Sequence, residues 1–389
     1  MNTINKIISI LLLASIAITT YSCDDEPKPS TPPAHRTILV YIVANNSLGF
    51  VGCDSEDLTE MIEASQNNSF NGGRLIVYHS TLGAPATLFE ISNGNTTKLK
   101  EYDSSTLSVE ATRMQQVIDD TKNIAPANDY GLILWSHGNG WLQTGIPIDT
   151  LHSSTPTKTP LAFGVDQGKQ MNITTLAQVI NDEGFNFIYF DCCNMSTVEV
   201  IYELRNATPY IVASAAEVPA DGMPYDYNIP LLFEDTPNLL GACTTTFDYY
   251  NSKNNEEFRS CTMSLIDTKY ISELASATAD IYRLHPSLPA DFKPQKFTLD
   301  SNCYYFDFGQ YIEALSTDNP QLFEIWKQVI DKVVIYKAAT PYMWNQLKLT
   351  HHSGLSTFIL NSASSCTIKG YNQLQWWTDV ASILWNTEN

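Results

Sequence analysis

The sequence predicts an α/β protein, with a mostly parallel sheet flanked by helices and a smaller C-terminal α/β extension. Three observations predict it. Apolar, β-branched runs of strand length alternate with helical patterns between residues 37 and 214. The runs are apolar throughout rather than alternating, as in strands covered on both faces. After about residue 240 the alternation gives way to short strands, helices and a Pro-marked connector. The expected division is 1–22, 23–35, 36–240 and 241–389, the last packed on the third.

Residues 1–22 read as a bacterial-type export signal. Lys6 is the only charged side chain in it, and Ile7 to Ile18 is an apolar run. That run is too short to span a bilayer, which takes about 20 residues. Thr20-Tyr21-Ser22-Cys23 follows, an apolar-run-then-Cys order that makes Cys23 the candidate for lipidation and cleavage before it. Asp24-Asp25-Glu26 and four prolines up to Pro33 form an acidic, extended tether. The acidic residues after Cys23 resemble the surface-export signal of Bacteroidetes-type lipoproteins. The expected location is therefore the bacterial cell envelope, lipid-anchored to the membrane, with the outer-membrane surface implied by that resemblance.

The elements follow in order. Thr37 to Ala44 reads as a buried strand, ended by Asn45-Asn46-Ser47, and Asp54 to Ala64 as a helix. Arg74 to His79 is a strand, and 83–100 is hairpin-like. Ser108 to Thr121 reads as a helix and Asp129 to Ser136 as a core strand. Residues 142–172, rich in Thr, Pro, Gly and Ser, read as a long surface loop. Ile173 to Glu183 is a helix, Phe185 to Asp191 a strand, Thr197 to Arg205 a helix, and Tyr210 to Ser214 a strand. Beyond 240, a strand is expected at Ser264 to Asp267 and another at Leu355 to Leu360. Helices are expected through Leu284, at Tyr311 to Leu315, at Gln321 to Tyr336, and at 372–386.

The composition excludes some functions. The chain has 389 residues, 43% hydrophobic, which rules out wholesale disorder. A formal charge of -20 argues against nucleic-acid binding and against a polybasic membrane patch. Cysteines stand at 23, 53, 192, 193, 243, 261, 303 and 366, without CxxC or zinc-ligand spacing. With Cys23 lipidated an odd number remains, so at least one thiol is free.

Ligands of parallel sheets bind outside the carboxyl ends of the strands. Two strand ends carry reactive groups: Leu132-Ile133-Leu134-Trp135-Ser136-His137-Gly138 and Ile188-Tyr189-Phe190-Asp191-Cys192-Cys193. If those strands are neighbours, His137 and a cysteine meet. That is the arrangement of a thiol acyl-transfer enzyme, in which an imidazole activates a thiolate or protonates the leaving amine. Gly138 leaves room for backbone N–H groups to face an oxyanion. Taken singly, a strand-end His is more often structural and a Cys more often a small core hydrophobe. The two motifs together carry the inference, and spacing alone does not say which of the vicinal sulfurs reacts.

Here the sequence resembles the clostripain family of cysteine peptidases, family C11, in the caspase–gingipain–legumain clan. The matching stretches are Asp129 to Gly138 with Gly140-Trp141, and Phe190 to Met195 with Val198-Glu199. Weaker matches are Tyr41 to Leu48, Ile211 to Ser214 with Glu217, Gly222 and Tyr225, Ser264 to Asp267, and Gly354 to Ser356. The resemblance implies a caspase-like fold and an endopeptidase acting through a Cys–His dyad and a thioester acyl-enzyme. It places Cys193 on the nucleophile, His137 on its partner, and Gly138 and Cys193 on the oxyanion donors. Cys192 falls on an Ala of the family pattern Asp-Ala-Cys-Leu-Met-Gly, which raises a vicinal disulfide as a block on Cys193. Asn194 and Ser196 depart from the same pattern. The resemblance implies cleavage after Arg or Lys, with Asp191 and Ser214 binding substrate. A helix-capping role is the plainer reading of Asp191. It also implies a zymogen that cuts itself in the 142–172 loop, where Lys158 and Lys169 are the candidates. Calcium dependence is a family property, but no compact acidic loop marks a site, so no metal ligands are named and no cofactor is required. The expected partners are peptides or proteins with a basic P1 residue, and the expected state is a monomer. Two competing readings are a catalytically silent surface lipoprotein and a thiol transpeptidase, which shares the thioester and differs only in the acceptor.

Overall fold

The computed structural model describes residues 33–66, 69–142, 162–300, 304–360, 367 and 370–385. Nine strands form one sheet. In chain order they are β1 Thr37–Val43, β2 Arg74–Ser80, β3 Thr87–Ser92, β4 Asn95–Glu101, β5 Tyr130–Trp135, β6 Phe185–Asp191, β7 Tyr210–Ala213, β8 Thr262–Asp267 and β9 Val334–Ala339. Across the sheet they run β9-β8-β7-β6-β5-β1-β2-β3-β4. The five central strands β2, β1, β5, β6 and β7 are mutually parallel, and the strands added at both edges pair antiparallel. The protein is therefore α/β with a mostly parallel sheet.

The apolar runs are explained by two covered faces. In β1 every residue is buried. Ile38, Val40 and Ile42 join a core with residues of helices Cys53–Ala64, Tyr225–Leu232 and Leu239–Asn251. Leu39, Tyr41 and Val43 join the opposite core, with helices Ala111–Ile124, Ile173–Ile180, Val198–Glu203 and Ile271–Tyr282. Each fully buried aliphatic side chain contributes roughly 1.5–3 kcal/mol of transfer free energy. A polar residue on either parity would forfeit it.

Strand order reverses between β1 and β5, since β2 lies outside β1 on one side and β5 to β7 continue on the other. Loops leaving the carboxyl ends of β1 and β5 diverge there and open a crevice. β8 and β9, both beyond residue 240, complete the sheet's far edge.

Several elements differ from expectation. The helix expected over Gln321 to Tyr336 stops at Val333 and the chain continues as β9 against β8. Its β-branched run Val333-Val334-Ile335 favours the pleated surface once an edge is available. Helices Tyr225–Leu232 and Leu239–Asn251 were not expected. Pro230 and three consecutive threonines, Thr244 to Thr246, hide them from a propensity reading. The end of the long loop is a hairpin, Phe163–Asp166 with Lys169–Met171, turning through Gln167 and Gly168 at positive φ. The strand expected at 355–360 is only the two-residue pairing Ser356–Thr357. The last helix is Gln375–Asp379 followed by a 3₁₀ turn, Ala381–Trp385. Cys23, Lys158, Cys303 and Cys366 lie outside the described residues. Among the described residues no helix is long and apolar enough to cross a membrane.

Candidate active site

β5 and β6 are neighbours, and their register sets the site. Trp135 lies opposite Asp191. Two residues beyond that pair, past the ends of the strands, come His137 and Cys193, and neighbouring strands lie about 4.8 Å apart. Direct contact comes through Gly138. A Cβ there would sit 2.7 Å from Cys192 Cβ and 2.7 Å from Cys193 O, so only glycine lets the two turns touch.

Alternation separates the vicinal cysteines. Cys192 is buried in the core of Leu134 and Trp141, and its thiol donates to Leu134 O at 3.2 Å. Burial, then the neighbouring Asp191 charge, pushes that thiol well above its usual range. Cys193 is partly exposed, and its Sγ accepts from Val218 N at 3.3 Å. A backbone N–H aimed at sulfur favours the thiolate. Neither sulfur is in a disulfide, nor is that of Cys53, Cys243 or Cys261.

The turn after Cys193 is stitched to the end of β7. Asn194, at φ 59, donates its N–H to Ala216 O at 2.9 Å, and Ser196 N donates to Ser214 O at 2.9 Å. Ser214 is buried, and its hydroxyl bonds Ala216 O and Thr262 Oγ1. It braces the wall of a narrow cleft shared with Glu217, Val218, Met223 and Met263. Glu217 accepts from Trp344 Nε1 at 2.7 Å. A wider hollow beside Lys100, Gln115 and Gln178 lies on the helical face and holds no nucleophile.

Asp191 is 5% exposed and turned toward the layer of Met223 and Tyr225. Its Oδ2 accepts from Met223 N at 3.1 Å and from Tyr225 OH at 2.9 Å. Asp57 lies beside it and accepts from Trp135 Nε1 at 2.5 Å. A Cβ on Gly222 would lie 2.8 Å from Asp57 Oδ2 and 3.1 Å from Asp191 Oδ2. Burial pushes both carboxyls up, Asp57 further because the Asp191 charge adds to it. Two like charges so placed resist ionising together, which favours the protonated form of the pair. Glu60, whose Oε2 accepts from Tyr225 N, is pushed up to about 7, chiefly by burial.

Sequence reasoning missed two groups. Asp57 sits mid-helix and carries no local signal. Ser47 follows β1, and its Oγ lies 2.8 Å from His137 Nε2. The rule that sites gather at strand ends would have nominated the end of β1 as a third contributor. Of the two lysine candidates, Lys169 is exposed and pairs opposite Asp166 in the hairpin.

This fold and these strand ends define a class, the cysteine peptidases built on a caspase-like α/β sheet. The particular family follows from comparison: the chain belongs to the clostripain family, whose model matches residues 40–387. An inactive zymogen C11 protease from Parabacteroides distasonis is 28% identical with a TM-score of 0.75, covering 90% of this chain and 99% of its own. A secreted C11 cysteine protease from Bacteroides thetaiotaomicron, solved with an irreversible peptide inhibitor, is 27% identical with a TM-score of 0.74, covering 89% and 99%. Another secreted C11 protease of that organism, iotapain, shares the fold at 23% identity and a TM-score of 0.76, covering 90% and 99%. No curated protein matches the chain. The protein is a cysteine peptidase acting on peptides, a chemistry that needs no cofactor. Among the described residues no group of three His, Cys, Asp or Glu could hold a metal ion.

Proposed function

We propose an exported, lipid-anchored endopeptidase that cleaves after Arg or Lys through Cys193 and His137. The Cys193 thiolate attacks the scissile carbonyl carbon, and the oxyanion is held by the N–H groups of Gly138 and Cys193. His137 gives its proton to the leaving amine, which departs and leaves a thioester. Water then attacks the thioester with His137 as base, and the thiol and a carboxylic acid product are released. The basic P1 side chain is drawn by Asp191.

The observation that supports this reading best is the buried Asp57–Asp191 pair two residues behind the thiol. Two buried carboxyls that resist ionising together gain most from a cation, because a guanidinium or ammonium lets both ionise. The outline of the site also fits a self-processing loop. Its far end is the hairpin beside β5, and Lys158 is the better cleavage candidate because cutting at Lys169 would require that hairpin to open. Anchoring through Cys23 at the bacterial cell envelope, facing outward, completes the proposal, with the chain acting as a monomer.

The test is hydrolysis of fluorogenic peptides with P1 Arg, Lys, Ala or Asp by reduced wild type and Cys193→Ala, with and without calcium. Cleavage after Arg and Lys only, absent in the variant, is the expected result. Equal rates for all four peptides would remove the acidic P1 role. Intact mass of the purified protein reads the cleavage site, and metabolic fatty-acid labelling lost in Cys23→Ser reads the anchor.

A further inference from the structure

We infer that Ser47 is a positioning residue that holds the His137 ring by Nε2 and leaves the chemistry at Cys193 to Nδ1. The inference rests on the reading of Cys193 and His137 as the reacting pair, and it adds a third strand end to it.

Ser47 opens a five-residue helix, Ser47–Val51, directly after β1. Its Oγ is 2.8 Å from His137 Nε2. An exposed hydroxyl contact of this kind has little net strength if the hydroxyl must be ordered for it. Here the backbone beneath the hydroxyl is already held. Asn46 caps the helix, its Oδ1 accepting from Leu48 N at 2.8 Å. The Nδ2 of the same side chain donates to Val43 O and to Val165 O, each at 2.8 Å. Ser136, the residue before His137, donates to Val43 O at 2.7 Å and accepts from Val165 N at 3.2 Å. His137 O in turn accepts from Gly164 N at 3.0 Å. The ends of β1 and β5 and the hairpin at Phe163–Asp166 are thus one network, and Ser47 and His137 are two of its projections.

Gly49 presses the helix against β1. A Cβ at that position would lie 1.9 Å from Ala44 O, which no side-chain adjustment can relieve because the obstacle is backbone. The helix, and Ser47 with it, has one seat.

The chemistry suits a serine. The Nε2–H of His137 donates to Ser47 Oγ when the ring is neutral and when it is imidazolium. Ser47 therefore need not change partner while Nδ1 accepts the thiol proton and later returns it to the amine. A ring held at Nε2 is spared the flip that would turn carbon toward sulfur, a loss that enters kcat rather than substrate binding.

The test uses the mature chain with a P1 Arg peptide. Ser47→Ala is expected to lower kcat roughly tenfold or more with KM unchanged, and Ser47→Thr to recover most of it. Gly49→Ala, which moves the hydroxyl without deleting it, should also lower kcat. Ring-nitrogen NMR of histidine-labelled Cys193→Ala protein should show His137 protonated at Nε2, and this signal should change in Ser47→Ala. A wild-type kcat in Ser47→Ala, a Thr variant as slow as Ala, or an Nδ1–H tautomer with Ser47 intact would each overturn the inference. The underlying reading fails separately: it falls if His137→Ala or Cys193→Ala keeps wild-type turnover.

Discussion

The two layers that meet at the end of β6 hold similar residues in different environments. On one side lie Cys193, Asp191 and Asp57. On the other lie Cys192 and, one turn later, Glu199. Glu199 is fully buried, yet its Oε1 accepts from Thr357 Oγ1 at 3.0 Å, Phe358 N at 2.9 Å and Tyr371 OH at 3.2 Å. Asp191 also accepts from two donors, but it faces another carboxyl. Donors around Glu199 fasten the C-terminal segment to helix Val198–Glu203, which follows Cys193. The carboxyl opposite Asp191 leaves a site short of positive charge. The difference teaches that a buried acid is read from what faces it. Being buried does not assign its role.

The largest expected effect separates the two sulfurs. Cys193→Ala should lower kcat by roughly 10⁴-fold, while Cys192→Ala should stay within about threefold, measured on a P1 Arg peptide. Equal loss in both variants would collapse the contrast between the layers. Next comes Asp191→Asn, which should reduce the preference for P1 Arg over P1 Ala by about 10- to 100-fold, read as the ratio of kcat/KM values. A pH series sharpens the same point. Burial raises the Asp191 carboxyl, so it takes up its proton on mild acidification. KM for P1 Arg should therefore rise as pH falls below neutral, while KM for P1 Ala should not follow it.

On the other layer, Glu199→Ala strands three donors and should cost about 3 kcal/mol in urea unfolding. Glu199→Gln should cost less and leave kcat alone. The smallest effect is again one of pH. Burial, opposed by these donors, leaves Glu199 pushed up from 4.5 to about 7. Between those values the folded chain holds a proton that the unfolded chain has released. This contribution to stability is full below the lower value and is lost as pH rises through about 7. A melting temperature that falls over that range in wild type and not in Glu199→Gln is the expected observation.

Much of this was legible beforehand, and the reason is physical. A strand buried on both faces must be apolar throughout, so β1, β5, β6 and β7 announced themselves within a residue or so of their ends. Their order in the chain, with His-Gly after one and a cysteine pair after another, pointed to His137 and a vicinal cysteine, and the family resemblance chose Cys193. Elements whose stability comes from partners were hidden. β9 exists because β8 offers it an edge, and helix Tyr225–Leu232 tolerates Pro230 because it packs against Cys53–Ala64.

The sequence by itself determined the layered α/β class, the two reactive strand ends and the family they resemble, since each is written in a local run of residues. Tertiary structure alone decided which sulfur faces the cleft, which carboxyl faces Asp191, and that Ser47 reaches His137. Those facts depend on strand parity and on strand order across the sheet. Both are set by pairing between segments as far apart as Thr37 and Tyr130, a distance no local pattern spans.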